Sequence, residues 1–276
     1  MTGQAAGVAH EEVGSEPDRQ LRRVWIHTVG LAFVLAVLFA FVDNGSISVA
    51  DEAVYATQSQ ALVDGSWTSP RSAPDVDPMG RGNPLVDSVI IDDRLIAYSR
   101  HALYPILLVP AVALFGYSGA LAVSAFGVWC AAVVAAFTAR RIDHRFGAPA
   151  LWITGLASPL LFDAFTLWAH SLAAAAFGLT LLAVLRALAG ERRSIHLGWA
   201  ALGAVMSVLL RTEGVVILLA LATVVVAGGV RWQRRTVDRT HLGVGVALAL
   251  LAFVSYVLDS RWSVSISGSG GYGTNP

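Results

Sequence analysis

Asp51 and Glu52 form an acidic pair that follows the first long apolar run of the chain, and Tyr55 stands three residues after Glu52. A carboxylate held at the boundary between lipid and water can act as a general base. Acidic residues in the first turn of a helix also cap free amide groups and favour the helix dipole. Both interpretations stay open, since a capped helix also fixes its carboxylates in place. Tyr55 is a candidate substrate contact beside the pair.

Arg100 and His101 lie in the stretch AYSRHALYP, immediately before another apolar run. An arginine guanidinium forks onto phosphate oxygens, and a histidine adds a further hydrogen bond. The same residue types also anchor a chain at the headgroup level of a bilayer, where their polar ends reach water. The stretch is therefore either a phosphate contact or an interfacial anchor.

Two further polar clusters interrupt apolar runs. Asp163, Trp168 and His170 lie in SPLLFDAFTLWAHS, and Arg211 and Glu213 lie in LLRTEG. Polar side chains at membrane depth are costly and usually face a cavity or a partner. The plain alternatives are an aromatic anchor for Trp168 and an ion pair without catalytic duty for the arginine and glutamate.

The composition predicts an integral membrane protein. The chain has 276 residues, 55% of them hydrophobic and 14% charged, whereas soluble domains carry roughly 25% charged residues. Its formal net charge of zero indicates no nucleic-acid partner. Cys130 is the single cysteine, so an internal disulfide and a cysteine-rich zinc cluster are excluded.

Seven apolar runs are candidates to cross a bilayer, and an eighth run, 102–116, is the doubtful one. At fifteen residues it would span about 22 Å as a helix, short of the ~30 Å hydrocarbon core. It also contains Pro105 and Pro110. The seven longer runs are 24–42, 119–139, 147–165, 168–189, 195–210, 214–230 and 241–258.

The distribution of arginine decides whether 102–116 crosses, because loops on the cytoplasmic side carry an excess of positive charge. If it does not cross, 13 of the 19 basic residues, all arginine, lie inside; if it does, only 5 of the 19 do. The sequence therefore predicts an all-α membrane protein with about seven transmembrane helices and a cytoplasmic N-terminus. The segment 102–116 becomes a juxtamembrane helix, and all four polar clusters meet the outer face.

This topology divides the chain into three parts. Residues 1–23 are expected to form a disordered cytoplasmic tail, 24–258 the transmembrane module with a large external loop at 43–118, and 259–276 an external tail. Within the loop, AVYATQSQALV is typical of a short helix, and DSVIIDDRLIAYS indicates a hairpin or an extended pair.

Taken in order, these segments resemble the GT-C glycosyltransferases, above all the dolichyl-phosphate-mannose protein mannosyltransferases and the bacterial aminoarabinose transferases. The resemblance covers roughly residues 24–258. The acidic pair after the first helix is its most specific element. The segments that carry the resemblance are ADEAVY, DDRLIAYSRHALYPILLVPAVALFG, TARRIDHRFGAPALWI, SPLLFDAFTLWAHSLA and LLRTEG.

The resemblance implies transfer of a sugar, with inversion, from a polyprenyl-phosphate donor to a lipid, glycan or protein acceptor. The reaction would take place on the external face of a bacterial plasma membrane. By the resemblance Asp51 is the base, and Glu52 orients the base or the substrate. Family members often have a lysine near the donor phosphate; its absence here leaves that contact to Arg100, beside His101. The implied cavity residues are Asp163, His170, Arg211 and Glu213.

Family members usually continue with more helices and often an external acceptor domain. The end at Pro276 therefore suggests a fragment, a minimal enzyme, or half of a split protein whose partner subunit supplies a C-terminal half. A non-catalytic scaffold with the same fold is the main alternative. A transporter or flippase is disfavoured, since such proteins carry midplane polar residues and internal repeats. A divalent metal at Asp51 and Glu52 stays open.

Overall fold

The computed structural model describes residues 16–41, 50–70, 75, 89–91, 94–96, 101–231 and 236–267. This part of the chain is mostly helical. Its helices are α1 (Glu16–Phe41), α2 (Ala50–Val63), α3 (Leu103–Ala139), α4 (Gly147–Leu156), α5 (Leu160–Asp163), α6 (His170–Leu188), α7 (Arg193–Leu210), α8 (Glu213–Gly228) and α9 (Arg239–Ser267). The short strands are β1 (Ser69–Pro70), β2 (Val89–Ile91), β3 (Arg94–Ile96), β4 (Val230–Arg231) and β5 (Thr236–Val237).

Within the described residues, five helices are long and apolar enough to cross a bilayer: α1, α3, α6, α7 and α9. Each contains at least 18 apolar-rich residues, about 27 Å of helix at 1.5 Å per residue. Helix α8 is equally apolar but has only 16 residues. The predicted helical class is thus confirmed, and these five helices have the length and composition of membrane spans.

Helix α3 folds back on itself at Gly116. This residue has a φ of 61° and a ψ of −146°, a conformation that glycine adopts without steric cost. The hydroxyl oxygens of Tyr104 and Ser124 lie 2.8 Å apart although 20 residues separate them. In a straight helix those residues would be about 30 Å apart. The limb 103–115 is therefore separate from the limb 117–139, at the break that the sequence predicts.

The segment 147–165, which the sequence predicts as one helix, is instead two short helices in succession. Helix α4 has ten residues, about 15 Å, and α5 has four. The break falls at Ser158 and Pro159, because the residue before a proline is driven out of the helical conformation. The Ser158 hydroxyl accepts a hydrogen bond from the Leu160 amide at 3.3 Å, which satisfies a free donor at the start of α5.

Helix α2 packs on α3, next to a small sheet of strand order β1-β3-β2. Strands β2 and β3 are antiparallel, with Val89 opposite Ile96 and Ile91 opposite Arg94. The predicted helix and hairpin of the large loop are both confirmed. This region defines the α2 end of the molecule. The opposite end lies where α3 finishes at Ala139 and α4 begins.

Two apolar cores hold the helices together. Helices α6 to α9 pack around Ala204, Leu218 and Leu248, while α1, α3 and α4 pack around Leu31 and Leu151. All five side chains are almost completely buried. A third core, which carries the candidate site, lies at the α2 end.

Both predicted tails differ from the structure where it describes them. Helix α1 begins at Glu16, so residues 16–23 of the expected disordered tail are helical. Helix α9 continues to Ser267, beyond the predicted boundary at residue 258. The buried Asp259 and Ser263 lie on this continuation, which shows that the helix still packs on its neighbours there.

Candidate functional site

Glu52 is the best-defined member of the candidate site. Only 1% of its surface is exposed. Its Oε1 accepts a hydrogen bond from the Leu167 amide at 3.0 Å and another from the Tyr117 hydroxyl at 3.3 Å. One carboxylate thus joins α2, the bend of α3 and the segment before α6. A buried carboxylate persists only when such donors replace its lost water.

The position of Asp51 follows from the backbone of α2. Residue 51 lies one helical turn before Tyr55, and about 100° around the helix from Glu52. Its side chain, and all of Arg100, lie outside the part of the chain that the structure describes. The base and phosphate roles of these two residues therefore stay predictions.

Tyr55 joins α2 to the folded limb of α3 and to the turn between α7 and α8. Its ring meets the Tyr104 ring edge-on, with centroids 4.7 Å apart and an interplanar angle of 87°. Arg211 hydrogen-bonds to Tyr55. Both aromatic side chains are buried, so the guanidinium is anchored against a rigid wall.

Arg211 and Glu213 form the ion pair expected from their spacing. The guanidinium donates to both carboxylate oxygens, at 2.8 and 3.3 Å. Burial lowers the pKa of Arg211, but the hydrogen bonds and the charge of Glu213 outweigh burial and leave this pKa above its ordinary value. The arginine is therefore a permanent positive charge at the α2 end.

Asp163 ends the four-residue helix α5 and is 7% exposed. The positive charge of Arg211 interacts electrostatically with the Asp163 carboxylate. The structure thus brings together Glu52, Tyr55, Asp163 and Arg211, which lie in three separate segments of the sequence. Both carboxylates are buried, and Asp163 interacts with the positive charge of Arg211, an arrangement that suits a charged or strongly polar ligand.

His101 is a buried histidine whose contacts the sequence did not reveal. Its φ is 52°, and it is 4% exposed. Its Nδ1 lies 3.5 Å from Asp259 Oδ2, and its Nε2 lies 3.2 Å from the Thr212 hydroxyl. The histidine therefore connects the start of α3 to α9 and to the turn that carries Arg211. Asp259 is not among the site residues predicted from the sequence, because the predicted span ends one residue earlier. An acidic residue directly after an apolar run is the sequence feature that could have identified it.

His170 begins α6, three residues after the Leu167 amide that contacts Glu52. The ring contact that the structure describes for it is with Trp168, at 5.3 Å between centroids and an interplanar angle of 71°. The Trp168 indole nitrogen is buried, and among the described residues it has no hydrogen-bond partner. These two rings form one wall beside the Glu52 contact.

Two concave surfaces adjoin this cluster. A cavity of about 640 Å³ lies between α2, β1, β3 and the bend of α3, and Tyr117 lines it. An apolar groove of about 420 Å³ lies between α1 and α3, lined by residues such as Leu35, Phe39 and Trp129. Phe39 also packs against the core that contains Tyr55. Volumes of this size suit small ligands or segments of lipid chain.

Within the described residues, no group of three or more His, Cys, Asp or Glu side chains is arranged to hold a metal ion. The side chain of Asp51 is outside that search, so a metal at the acidic pair stays a hypothesis. The arrangement is a buried acidic and aromatic cluster with one strongly charged arginine. No family model, no curated protein and no solved structure matches this chain.

Proposed function

We propose that this protein is a membrane glycosyltransferase that moves a sugar from a polyprenyl-phosphate donor to an acceptor hydroxyl. The observation that carries the proposal is the burial of Glu52 between α2, the bend of α3 and Leu167. That contact fixes the first turn of α2, and with it the backbone of Asp51, at the end of the helical bundle. A base at this position can meet a lipid-linked donor whose tail stays in the bilayer.

The proposed topology has seven crossings, with the N-terminus inside and the α2 end on the outer face. The five long helices and α8 supply six of them. The seventh is the pair α4 and α5, which together run from Gly147, packed against Arg140, to the neighbourhood of Leu167 and Glu52. A crossing by two short helices is tolerated where protein rather than lipid surrounds the break.

The donor would lie with its tail in the groove between α1 and α3 and its phosphate towards Arg211 and His101. The groove offers an apolar surface beside Phe39, which also contacts the core around Tyr55. Arg211 keeps its charge at any physiological pH and stabilises negative charge on the departing phosphate. Arg100, the residue before His101, is a second proposed phosphate ligand.

In the proposed reaction the Asp51 carboxylate takes the proton of the acceptor hydroxyl. The acceptor oxygen then bonds to the anomeric carbon as the bond from that carbon to the phosphate oxygen breaks. The lipid phosphate leaves with the electron pair, and a single displacement inverts the anomeric configuration. Glu52 holds the base in place, and Tyr55, Asp163, His170 and Glu213 line the surrounding cavity.

A scaffold without activity is the second candidate, and the hydrogen bonds of Glu52 favour it. Both described donors to Glu52 are groups of the protein itself. A carboxylate used in this way stabilises the fold whether or not Asp51 reacts. The scaffold would bind a partner subunit that carries the chemistry.

The experiment compares the intact chain with Asp51→Asn in proteoliposomes supplied with a panel of polyprenyl-phosphate sugars. Asp75→Asn is the matched control, because Asp75 is an exposed residue of the same loop. Consumption of one donor by the wild type and the control, but not by Asp51→Asn, supports the proposal. Equal consumption by all three would exclude Asp51 as the base, and no consumption by the wild type would favour the scaffold.

A further inference from the structure

We propose that the cavity beside α2 is a carbohydrate-binding site and that the acceptor is a neutral glycan. That the bound carbohydrate is the acceptor rests on the proposed function. That the cavity binds carbohydrate does not depend on the proposed function. The cavity has a volume of about 640 Å³. Its lining residues, in the part of the chain that the structure describes, are not members of the candidate site predicted from the sequence.

One wall of the cavity is polar and held in place by its own hydrogen bonds. Arg94 donates to the Thr68 hydroxyl at 2.6 Å and to the Thr68 carbonyl at 2.8 Å. The Ser66 and Thr68 hydroxyls lie 3.0 Å apart, and Gln60 Nε2 lies 3.5 Å from Asp64 Oδ1. These contacts fix the orientation of the groups before any ligand arrives, which lowers the entropic cost of binding.

The wall offers both donors and acceptors of hydrogen bonds. Arg94 has five N–H groups, of which two are used by Thr68 in the described structure. The Asp64 carboxylate and the Gln60 amide add acceptor oxygens. A sugar hydroxyl both donates and accepts, so a polyol matches this mixed wall better than an acceptor-only anion does.

The cavity also has an apolar part to its lining. This part includes Ala56 and Ala61 of α2, Val112 and Ala120 of the two limbs of α3, and Tyr117. A pyranose or furanose ring has an apolar C–H face and a polar edge, and this cavity presents the complementary pair of surfaces. An aromatic ring adds a flat surface for the C–H face.

The charges of the described lining residues balance, which favours a neutral ligand. Asp64 contributes one negative charge and Arg94 one positive charge among the lining residues. Among these described residues there is no second cation to offset the Asp64 carboxylate if a phosphorylated donor were to bind. The cavity therefore suits the acceptor, and the donor phosphate belongs with Arg211.

Tyr117 connects this cavity to the acidic pair. Tyr117 lines the cavity, and its hydroxyl donates a hydrogen bond to Glu52 Oε1 at 3.3 Å. A glycan hydroxyl beside Tyr117 would therefore be close to the first turn of α2, where Asp51 lies. One hydrogen bond thus joins the cavity to Glu52, the neighbour in sequence of the proposed base Asp51.

The test measures binding of soluble pentose and hexose trisaccharides to the full chain in lipid nanodiscs by saturation-transfer difference NMR, without donor. Thr57→Trp fills the cavity from its half-buried lining position on α2. Thr223→Trp, at an exposed position of α8, is the matched control. Gln60→Ala and Thr68→Val are milder variants that lose one side-chain hydrogen-bonding group each.

We expect at least one trisaccharide to bind the wild type and the Thr223→Trp control, and no binding by Thr57→Trp. Gln60→Ala and Thr68→Val should bind roughly three- to tenfold more weakly, as loss of about one hydrogen bond implies. The milder variants decide the matter if Thr57→Trp does not fold. Absence of any saccharide signal from the wild type, or unchanged binding by both milder variants, would overturn the proposal.

A serine- and threonine-rich peptide is the competing probe. If the wild type bound this peptide but no saccharide, and Thr57→Trp lost the peptide binding, the proposal would also be overturned. The outcome is independent of the donor assay. Saccharide binding lost in Thr57→Trp, together with no donor consumption by the wild type, would leave a carbohydrate-binding protein that is not this transferase.

Discussion

The Oε1 atom of Glu52 lies 3.0 Å from the amide nitrogen of Leu167, a residue 115 positions further along the chain. The same oxygen accepts the Tyr117 hydroxyl at 3.3 Å. This contact ties the first turn of α2 to the helical bundle. It also separates the two members of the acidic pair by role: Glu52 holds the structure, and Asp51 is the residue proposed to react.

Replacing Glu52 is expected to destabilise the fold. Glu52→Ala leaves the buried Leu167 amide without its acceptor, which costs about 1–3 kcal/mol in the free energy of unfolding. Glu52→Gln keeps an acceptor oxygen and should cost less. Thermal unfolding in detergent measures both variants.

Glu191→Gln is the matched control for that series. Glu191 pairs with Arg141 at a partly exposed position, where an ion pair contributes about 0–1 kcal/mol. If Glu52→Ala unfolded at the same temperature as this control, the structural role of Glu52 would be wrong.

The fold-back of α3 depends in part on the hydrogen bond between Tyr104 and Ser124. Tyr104→Phe, Ser124→Ala and the double variant form a thermodynamic cycle. We expect a coupling free energy of about 0.5–1.5 kcal/mol, because the two hydroxyls are buried and 2.8 Å apart. Chemical denaturation of the four proteins measures it, and a coupling near zero would contradict the fold-back.

Gly119 allows the two limbs of α3 to approach. A β-carbon at this position would lie 2.2 Å from the Ala111 carbonyl oxygen, which is backbone and cannot move aside cheaply. Gly119→Ala is therefore expected to destabilise the protein by about 1–3 kcal/mol or more. Thermal unfolding of the variant in detergent measures the effect.

Gly198→Ala is the internal comparison, since a β-carbon at Gly198 of α7 meets nothing within 4 Å. It should be neutral or stabilise the protein by about 0.4–1 kcal/mol, because alanine has less conformational freedom to lose. Equal effects of the two alanine variants would mean that the limbs are not in close contact at Gly119.

Asp238 caps the start of α9 and should make stability depend on acid. Hydrogen bonds from the His241 side chain, then from the His241 and Thr240 amides, hold the pKa of Asp238 below its ordinary value of 3.8. Because the folded pKa is depressed, the stabilisation is present above pH 3.8 and is lost as the pH falls below it.

We therefore expect the unfolding temperature of the wild type to exceed that of Asp238→Ala near pH 6, and the difference to shrink as the pH falls below about 4. Thermal unfolding over a pH series measures this. A difference that stays constant across the series would show that the carboxylate charge does not contribute to the cap.

The membrane class, helix α2 and the break before residue 117 could be predicted from the sequence. Hydrophobic runs, turn residues and prolines act locally, so their effects can be predicted from their spacing in the sequence. The arginine distribution adds an expected orientation on the same basis. The Ser158–Pro159 break is also a local signal, but the apolar run around it predicts one continuous helix.

Only the tertiary structure decided the partners of the site residues. The sequence places Glu52 in the acidic pair, but it does not tell that Leu167 and Tyr117 bury it. The contact of His101 with Asp259 joins the start of α3 to α9 in the same way. Such contacts depend on how whole helices pack, and packing is set by many weak interactions between distant residues rather than by local spacing.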